Sequence, residues 1–288
     1  MTGRDAAGGL ACAGIAAAVA GRLIAPAIER APARLLRTNV SGAPVPAVLG
    51  GPLAAGALCG LGARGLVPSP ASGAATRRAL CAGAGLIVAM GLVGCADDVR
   101  GDESARGFAG HLAALARGRP TGGALKMAGG ALAGLASGRA LARGPEAVEL
   151  GALVALSANW VNLLDRAPGR AVKVSLAAGS TLCLLGAPAF RPTGASLTGA
   201  LAACAPADLG ERAMLGDAGA NAAGAVLGLG LALSLGPRAR RAAIAALALL
   251  TAASERWSYS RVIDAVAPLR WADRLGRRAP GLNPLPPC

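Results

Sequence analysis

Two adjacent carboxylates close an apolar run over residues 79–96, where the chain reads Gly94-Cys95-Ala96-Asp97-Asp98. Like charges packed side by side raise each other's pKa unless a cation or several hydrogen-bond donors offset them. A divalent metal carrying a phosphorylated substrate is the commonest natural arrangement that does so. A second polar set, Asn159, Asn162 and Asp165, recurs at i, i+3 and i+6, which runs along one side of a helix. A third, Gly216-Asp217-Ala218-Gly219, stands where another apolar run begins. There the free N–H groups and the positive dipole end of a helix favour anionic oxygen ligands. Carboxylates from separate helix ends, brought together at an interface, suit a magnesium ion and a diphosphate.

The elements that must position these residues follow from composition. Apolar residues make up 54% of the 288, charged residues 15%, and mean hydropathy is +0.52. Too few polar residues remain to coat a soluble globule of this size. Crossing a bilayer core takes about 20 apolar residues at 1.5 Å rise, and the chain offers about nine (8–10) such runs. They cover 6–28, 44–67, 79–96, 124–141, 147–164, 172–189, 193–207, 218–235 and 239–253. The expected fold class is therefore all-α, a polytopic transmembrane helical bundle, with 6–28 kept as a first span rather than cleaved as a leader.

Lys and Arg are more frequent in the connections after the first, third, fifth, seventh and ninth runs. The positive-inside bias makes that side cytoplasmic and puts the N-terminus outside, in a multi-pass plasma (inner) membrane protein. Asp97, Asp98, Asn159, Asn162, Asp165 and Asp217 then all fall at the cytoplasmic face. A net charge of +14 does not signal nucleic-acid binding, because the basic residues are scattered and no basic cluster has interleaved aromatics. The seven cysteines show no CxxC spacing and mostly lie inside apolar runs, which disfavours a disulfide framework and a zinc site. Residues 1–261 are expected to form the membrane-embedded domain. Over 262–278, Leu269, Trp271 and Leu275 alternate with Arg270, Arg274, Arg277 and Arg278, the pattern of a basic amphipathic helix lying on the cytoplasmic face. Residues 279–288, rich in Pro, are expected to be disordered. Arg256 and Arg261 stand where they could either clamp a substrate phosphate or anchor at the membrane surface.

Taken in order, Gly94 with Asp97 and Asp98, then Asn159, Asn162 and Asp165, then Gly216, Asp217 and Gly219 resemble the polyprenyl-phosphate glycosyl-1-phosphate transferases. That family includes phospho-N-acetylmuramoyl-pentapeptide transferase and the UDP-N-acetylglucosamine undecaprenyl-phosphate transferases. Asn39 with Gly42, Val45, Pro46 and Gly50, and Thr121 with Gly122 and Lys126, extend the resemblance over roughly residues 35 to 225. It implies transfer of a sugar 1-phosphate, such as an N-acetylhexosamine 1-phosphate, from a UDP-sugar to polyprenyl phosphate in cell-envelope glycan synthesis. UMP is released, and Mg²⁺ is required, with Mn²⁺ as the alternative ion.

Carried over by position, the resemblance makes Asp97, Asp98 and Asp217 the catalytic set. Asp97 deprotonates or orients the lipid phosphate and Asp98 supports it; Asp217, with Asp98, holds the metal. Asn159, Asn162 and Asp165 line the nucleotide side, Lys126 neutralises phosphate, and Asn39 belongs to the substrate-binding set. The partners implied are the lipid, the UDP-sugar and the bilayer, and a homodimer is allowed. Two departures stand out: the chain has a single histidine, His111, in place of a late His-rich stretch, and Arg166-Ala167-Pro168-Gly169-Arg170 replaces a second Gly-Leu-Asp-Gly segment. They support an alternative, a catalytically silent homologue that binds lipid phosphate or a partner enzyme. A transporter would place carboxylates at mid-span rather than at helix ends.

Overall fold

Ala and Leu, which dominate the apolar runs, are strong helix formers, while Gly and Pro punctuate the junctions between them. The computed structural model describes residues 3–38, 42, 44–66, 73–100, 117 and 122–277. The described residues hold eleven α-helices and the structure is 83% helical, so the all-α expectation holds. The long helices are α1 (Gly3–Glu29), α2 (Gly50–Leu66), α3 (Ala74–Arg100), α4 (Gly122–Leu141), α5 (Gly144–Leu164), α6 (Arg170–Leu185), α7 (Arg191–Leu209), α8 (Gly216–Ser234) and α9 (Pro237–Ser254). Two short ones follow, α10 (Tyr259–Ala265) and α11 (Ala267–Arg274). Prolines open α5, α7, α9 and α11, where the missing N–H has no helical partner to lose.

Each long helix falls on one of the apolar runs, with shifted ends. The run expected over 44–67 begins as a strand, and its helix starts only at Gly50. The run expected over 172–189 ends at Leu185, because Gly186 is extended and Pro188 opens a 3-10 turn. Among the described residues three helices are long and apolar enough to cross a membrane: Ala7–Glu29, Ala74–Val99 and Gly144–Leu164. The 17 residues of α2 and the 16 of α6 lie at the short limit of the crossing range.

The bundle is built round α8. From Gly219 to Gly230 every residue of that helix is buried, so none of its faces meets solvent over that stretch. Such a helix must be surrounded, and α3 and α5 flank it. Its small residues permit close approach: Gly224 and Gly228 lie against the α5 backbone at Leu153–Ala158, and Gly94 of α3 lies against the backbone of Asp217 and Ala218. Phe190, Leu153, Leu197, Leu201 and Leu229 fill the larger spaces between helices. On the outside, Leu10, Leu92, Leu132, Leu184, Leu185 and Leu249 are all at least two-thirds exposed.

Two connections complete the scaffold at the end of the bundle where α8 begins. Strands β1 (Leu36–Thr38) and β2 (Pro44–Pro46) form an antiparallel hairpin with Arg37 opposite Val45. The chain after β2 pairs with Met214, just before α8, through Met214 N–H to Pro46 O and Leu49 N–H to Met214 O. The single amphipathic helix expected over 262–278 is instead two short helices broken at Val266. That break precedes Pro268, whose ring disfavours helix in the preceding turn and whose nitrogen cannot donate. The tail expected over 279–288 lies outside the described residues.

Candidate active site

Three helix ends meet at one point. Asp97 comes from the last turn of α3, Asn162 from the last turn of α5 and Asp217 from the first turn of α8. Lys126, in the first turns of α4, places its ammonium between them. Lys126 Nζ lies 2.7 Å from Asp217 Oδ1, 3.1 Å from Asp97 Oδ2 and 3.0 Å from Asn162 Oδ1. The Asn162 amide also donates to Asp217 Oδ1. Three residues spread over 120 positions of chain thus surround one positive charge with oxygen.

Asp98 does something else. Its Oδ1 and Oδ2 accept the main-chain N–H groups of Asp217 (3.1 Å) and Ala218 (3.0 Å). The carboxylate therefore caps α8 from another helix, satisfying donors that a helix N-terminus leaves open. Gly216, at φ +67, makes this possible. A Cβ there would meet Asp98 Oδ2 at 3.0 Å and Ala47 Cβ at 2.9 Å, on a backbone that L-residues rarely adopt. Arg37 donates to the main-chain carbonyl of Asp98 and holds its guanidinium 4.0 Å from that carboxylate.

A cavity of about 710 Å³ opens onto this cluster, within the size range of small-molecule sites. Its described lining holds six carboxylates (Asp97, Asp98, Asp165, Asp208, Glu211, Asp217) against three cations (Arg37, Lys126, Arg166). Two of the acids form a buried pair at its floor. Asp208 is fixed by the Gly169 N–H on Oδ1, while Oδ2 of Asp208 and Oδ2 of Asp165 are buried without a hydrogen-bond partner. Burial, then the charge of Asp208, pushes Asp165 well above the ordinary carboxylate range. Asp217 is only half-buried, and its carboxylate faces the Lys126 ammonium and the Asn162 amide.

Of the residues singled out in the sequence, Asp97, Asp98, Lys126, Asn162, Asp165 and Asp217 line the cavity. Asn159 does not; its amide donates to Thr251 Oγ1 of α9 at 3.1 Å. The reason is helical geometry. At about 100° per residue, positions i and i+6 are about 120° apart, so Asn159 and Asp165 cannot share one narrow face. Arg256 is exposed and outside the cavity lining, which favours the surface-anchoring reading of that residue. Asn39, His111 and Thr121 lie outside the described residues. The metal pair expected at Asp217 and Asp98 is divided, because both oxygens of Asp98 serve the α8 amides. Among the described residues no three His, Cys, Asp or Glu side chains form a ready metal cage. The oxygens round Lys126 suit a hard cation in type, and the ammonium fills the place they share.

Asp208 and Arg37 are among the lining residues that had not been singled out. Asp208 ends the seventh apolar run on the same side as Asp97, so the rule that selects acids at helix ends would have found it. Arg37 gives no local signal beyond its charge, and only the hairpin turns it toward Asp98. Comparison with protein-family models gives no match to this chain, and comparison with curated proteins gives none either.

Proposed function

We propose that the chain is a membrane glycosyl-1-phosphate transferase that moves a sugar 1-phosphate from a UDP-sugar to polyprenyl phosphate and releases UMP. The observation that carries this reading is the convergence of Asp97, Asn162 and Asp217 on the Lys126 ammonium. Two anionic phosphates must come together for in-line attack, and preorganised positive charge is what lowers that barrier. Among the described lining residues acids outnumber cations even with Asp165 protonated, so a diphosphate would need an added cation there, and Mg²⁺ or Mn²⁺ is the ion of that chemistry. Asp217 and Asp97 are the residues that would hold it; bound there, it would offset phosphate charge. Asp97 orients the lipid phosphate or takes its proton, Lys126 turns its ammonium to phosphate, and Asn162 and Asp165 face the nucleotide. Asp98 and Arg37 keep the start of α8, and with it Asp217, in place.

In this reading α1 to α9 are nine spans with the N-terminus outside and the cavity at the cytoplasmic face of the plasma membrane. Leucines exposed round the outside of the bundle support a lipid-facing surface, since water-facing patches of that kind are uncommon. One observation favours the second reading, a silent homologue that binds lipid phosphate or a partner enzyme. Lys126 already satisfies the oxygens a metal would use. Membranes carrying the protein, supplied with Mg²⁺, polyprenyl phosphate and a panel of UDP-sugars, separate the two. The transferase releases UMP, and Asp217→Asn or Asp97→Asn lowers the rate by about 10²-fold or more. No UMP from any sugar, with lipid phosphate still bound, establishes the silent homologue instead.

A further inference from the structure

The segment after Ser254 is fastened to the cavity by charges far apart in sequence. Arg170, in the first turn of α6, meets Asp273 of α11 fork to fork, Nε to Oδ1 at 2.8 Å and Nη2 to Oδ2 at 3.1 Å, with both side chains 6% exposed. Arg170 Nη1 reaches Ser260 Oγ of α10 at 3.1 Å. Lys173, one turn further along α6, donates to the carbonyls of Ala272, Asp273 and Leu275. Those are the open carbonyls of a helix C-terminus, which a cation suits. Arg277 adds a 3.2 Å contact to Asp273 and donates from Nε to Pro168 O at 2.7 Å.

What is gripped is a wall of the cavity. Arg166, Ala167 and Pro168 line it from the α5–α6 connection, and Ser258 and Ser260 line it from the gripping segment itself. The same connection presents the Gly169 N–H to Asp208 and begins at Asp165. A buried ion pair adds little net stability over apolar packing of the same shape, so its strength is a poor reason for its presence. A bidentate guanidinium–carboxylate pair does fix relative position, because two parallel hydrogen bonds admit one orientation.

We propose that residues 258–277 form a strap that sets the 165–170 wall, and that Asp273, acting through Arg170, is the positioning residue for the nucleotide side of the site. The substrate half of this rests on the transferase reading. Asp273 does not line the cavity, so it positions and does not react.

The test compares the full-length protein with Asp273→Ala, Asp273→Glu and the exchanged pair Arg170→Glu with Asp273→Arg, in nanodiscs, by amide hydrogen exchange. In Asp273→Ala, amides of 166–173 exchange at least about tenfold faster while those of 226–229 in α8 stay as in the wild type. Asp273→Glu and the exchanged pair recover most of that protection. Unchanged exchange over 166–173 overturns the strap, and so does loosening that spreads equally into α8. With UDP-N-acetylglucosamine as probe, Asp273→Ala raises KM about tenfold while kcat stays within about threefold. A fall in kcat at unchanged KM overturns the assignment to the nucleotide side. A wild-type protein that releases no UMP counts against the transferase reading, and the exchange result decides the strap regardless.

Discussion

Asp97 and Asp98 are neighbours in sequence with opposite duties. Successive helix positions point about 100° apart, so one carboxylate faces the Lys126 ammonium and the other faces the amides of α8. Asp98 is thus a structural cap supplied by another helix. Asp98→Ala should lower stability by about 0.5–2 kcal/mol, and Asp98→Asn, which keeps an accepting oxygen, by less. Thermal unfolding of the purified protein measures it, and an unchanged midpoint in Asp98→Ala would remove the capping role. Asp273 carries a pH signature. Hydrogen bonding to Arg170 and the charges of Arg170 and Arg277 outweigh burial and hold its carboxyl below the ordinary 3.8. Its stabilising contribution is therefore present above that value and lost as pH falls through the lowered one. Asp273→Asn should be less stable than wild type at neutral pH and approach it as pH falls below about 4. Parallel stability profiles for the two proteins would contradict the assignment.

Helices matter here chiefly through their ends. Those of α3, α5 and α8 bring acid or amide, the start of α4 brings the cation, and the contacts that set their spacing lie within one or two turns. The α3–α8 crossing is a close one, because a Cβ on Gly94 would run into the backbone of Asp217 and Ala218. Backbone cannot rotate aside as a side chain can. Gly94→Val should therefore destabilise by about 1–3 kcal/mol and displace Asp217 from Lys126. Equal stability and equal UMP release in that variant would show that the helices are less closely packed than described. The hairpin serves the same end from the other direction, since β2 runs on into the Met214 pairing that leads into α8.

At the scale of the whole molecule the question is orientation. An outside N-terminus places the α4–α5 connection at Arg143 and the α5–α6 connection at Arg166 on opposite sides of the membrane. In a background without native cysteines, Arg143→Cys should react with an impermeant maleimide added outside intact cells, and Arg166→Cys only after the membrane is opened. The reverse pattern would turn the cavity outward and remove access to a cytoplasmic UDP-sugar.

Helical character and the position of each long helix were legible in the sequence. Apolar content, run length and the Gly and Pro breaks are local properties, and local properties are what a chain states outright. The acidic helix ends at Asp97, Asp165 and Asp217 were legible for the same reason, because charge at the edge of an apolar run stands out by contrast. Facing was not. Asn159 points to Thr251, Asp98 caps α8 and Arg37 turns toward the site only through helix rotation and the hairpin register. The Arg170–Asp273 pair, 103 residues apart, has no local trace at all. Tertiary structure alone decided which charges meet, since a side chain's partner depends on the packing of several helices at once, and no window of sequence contains it.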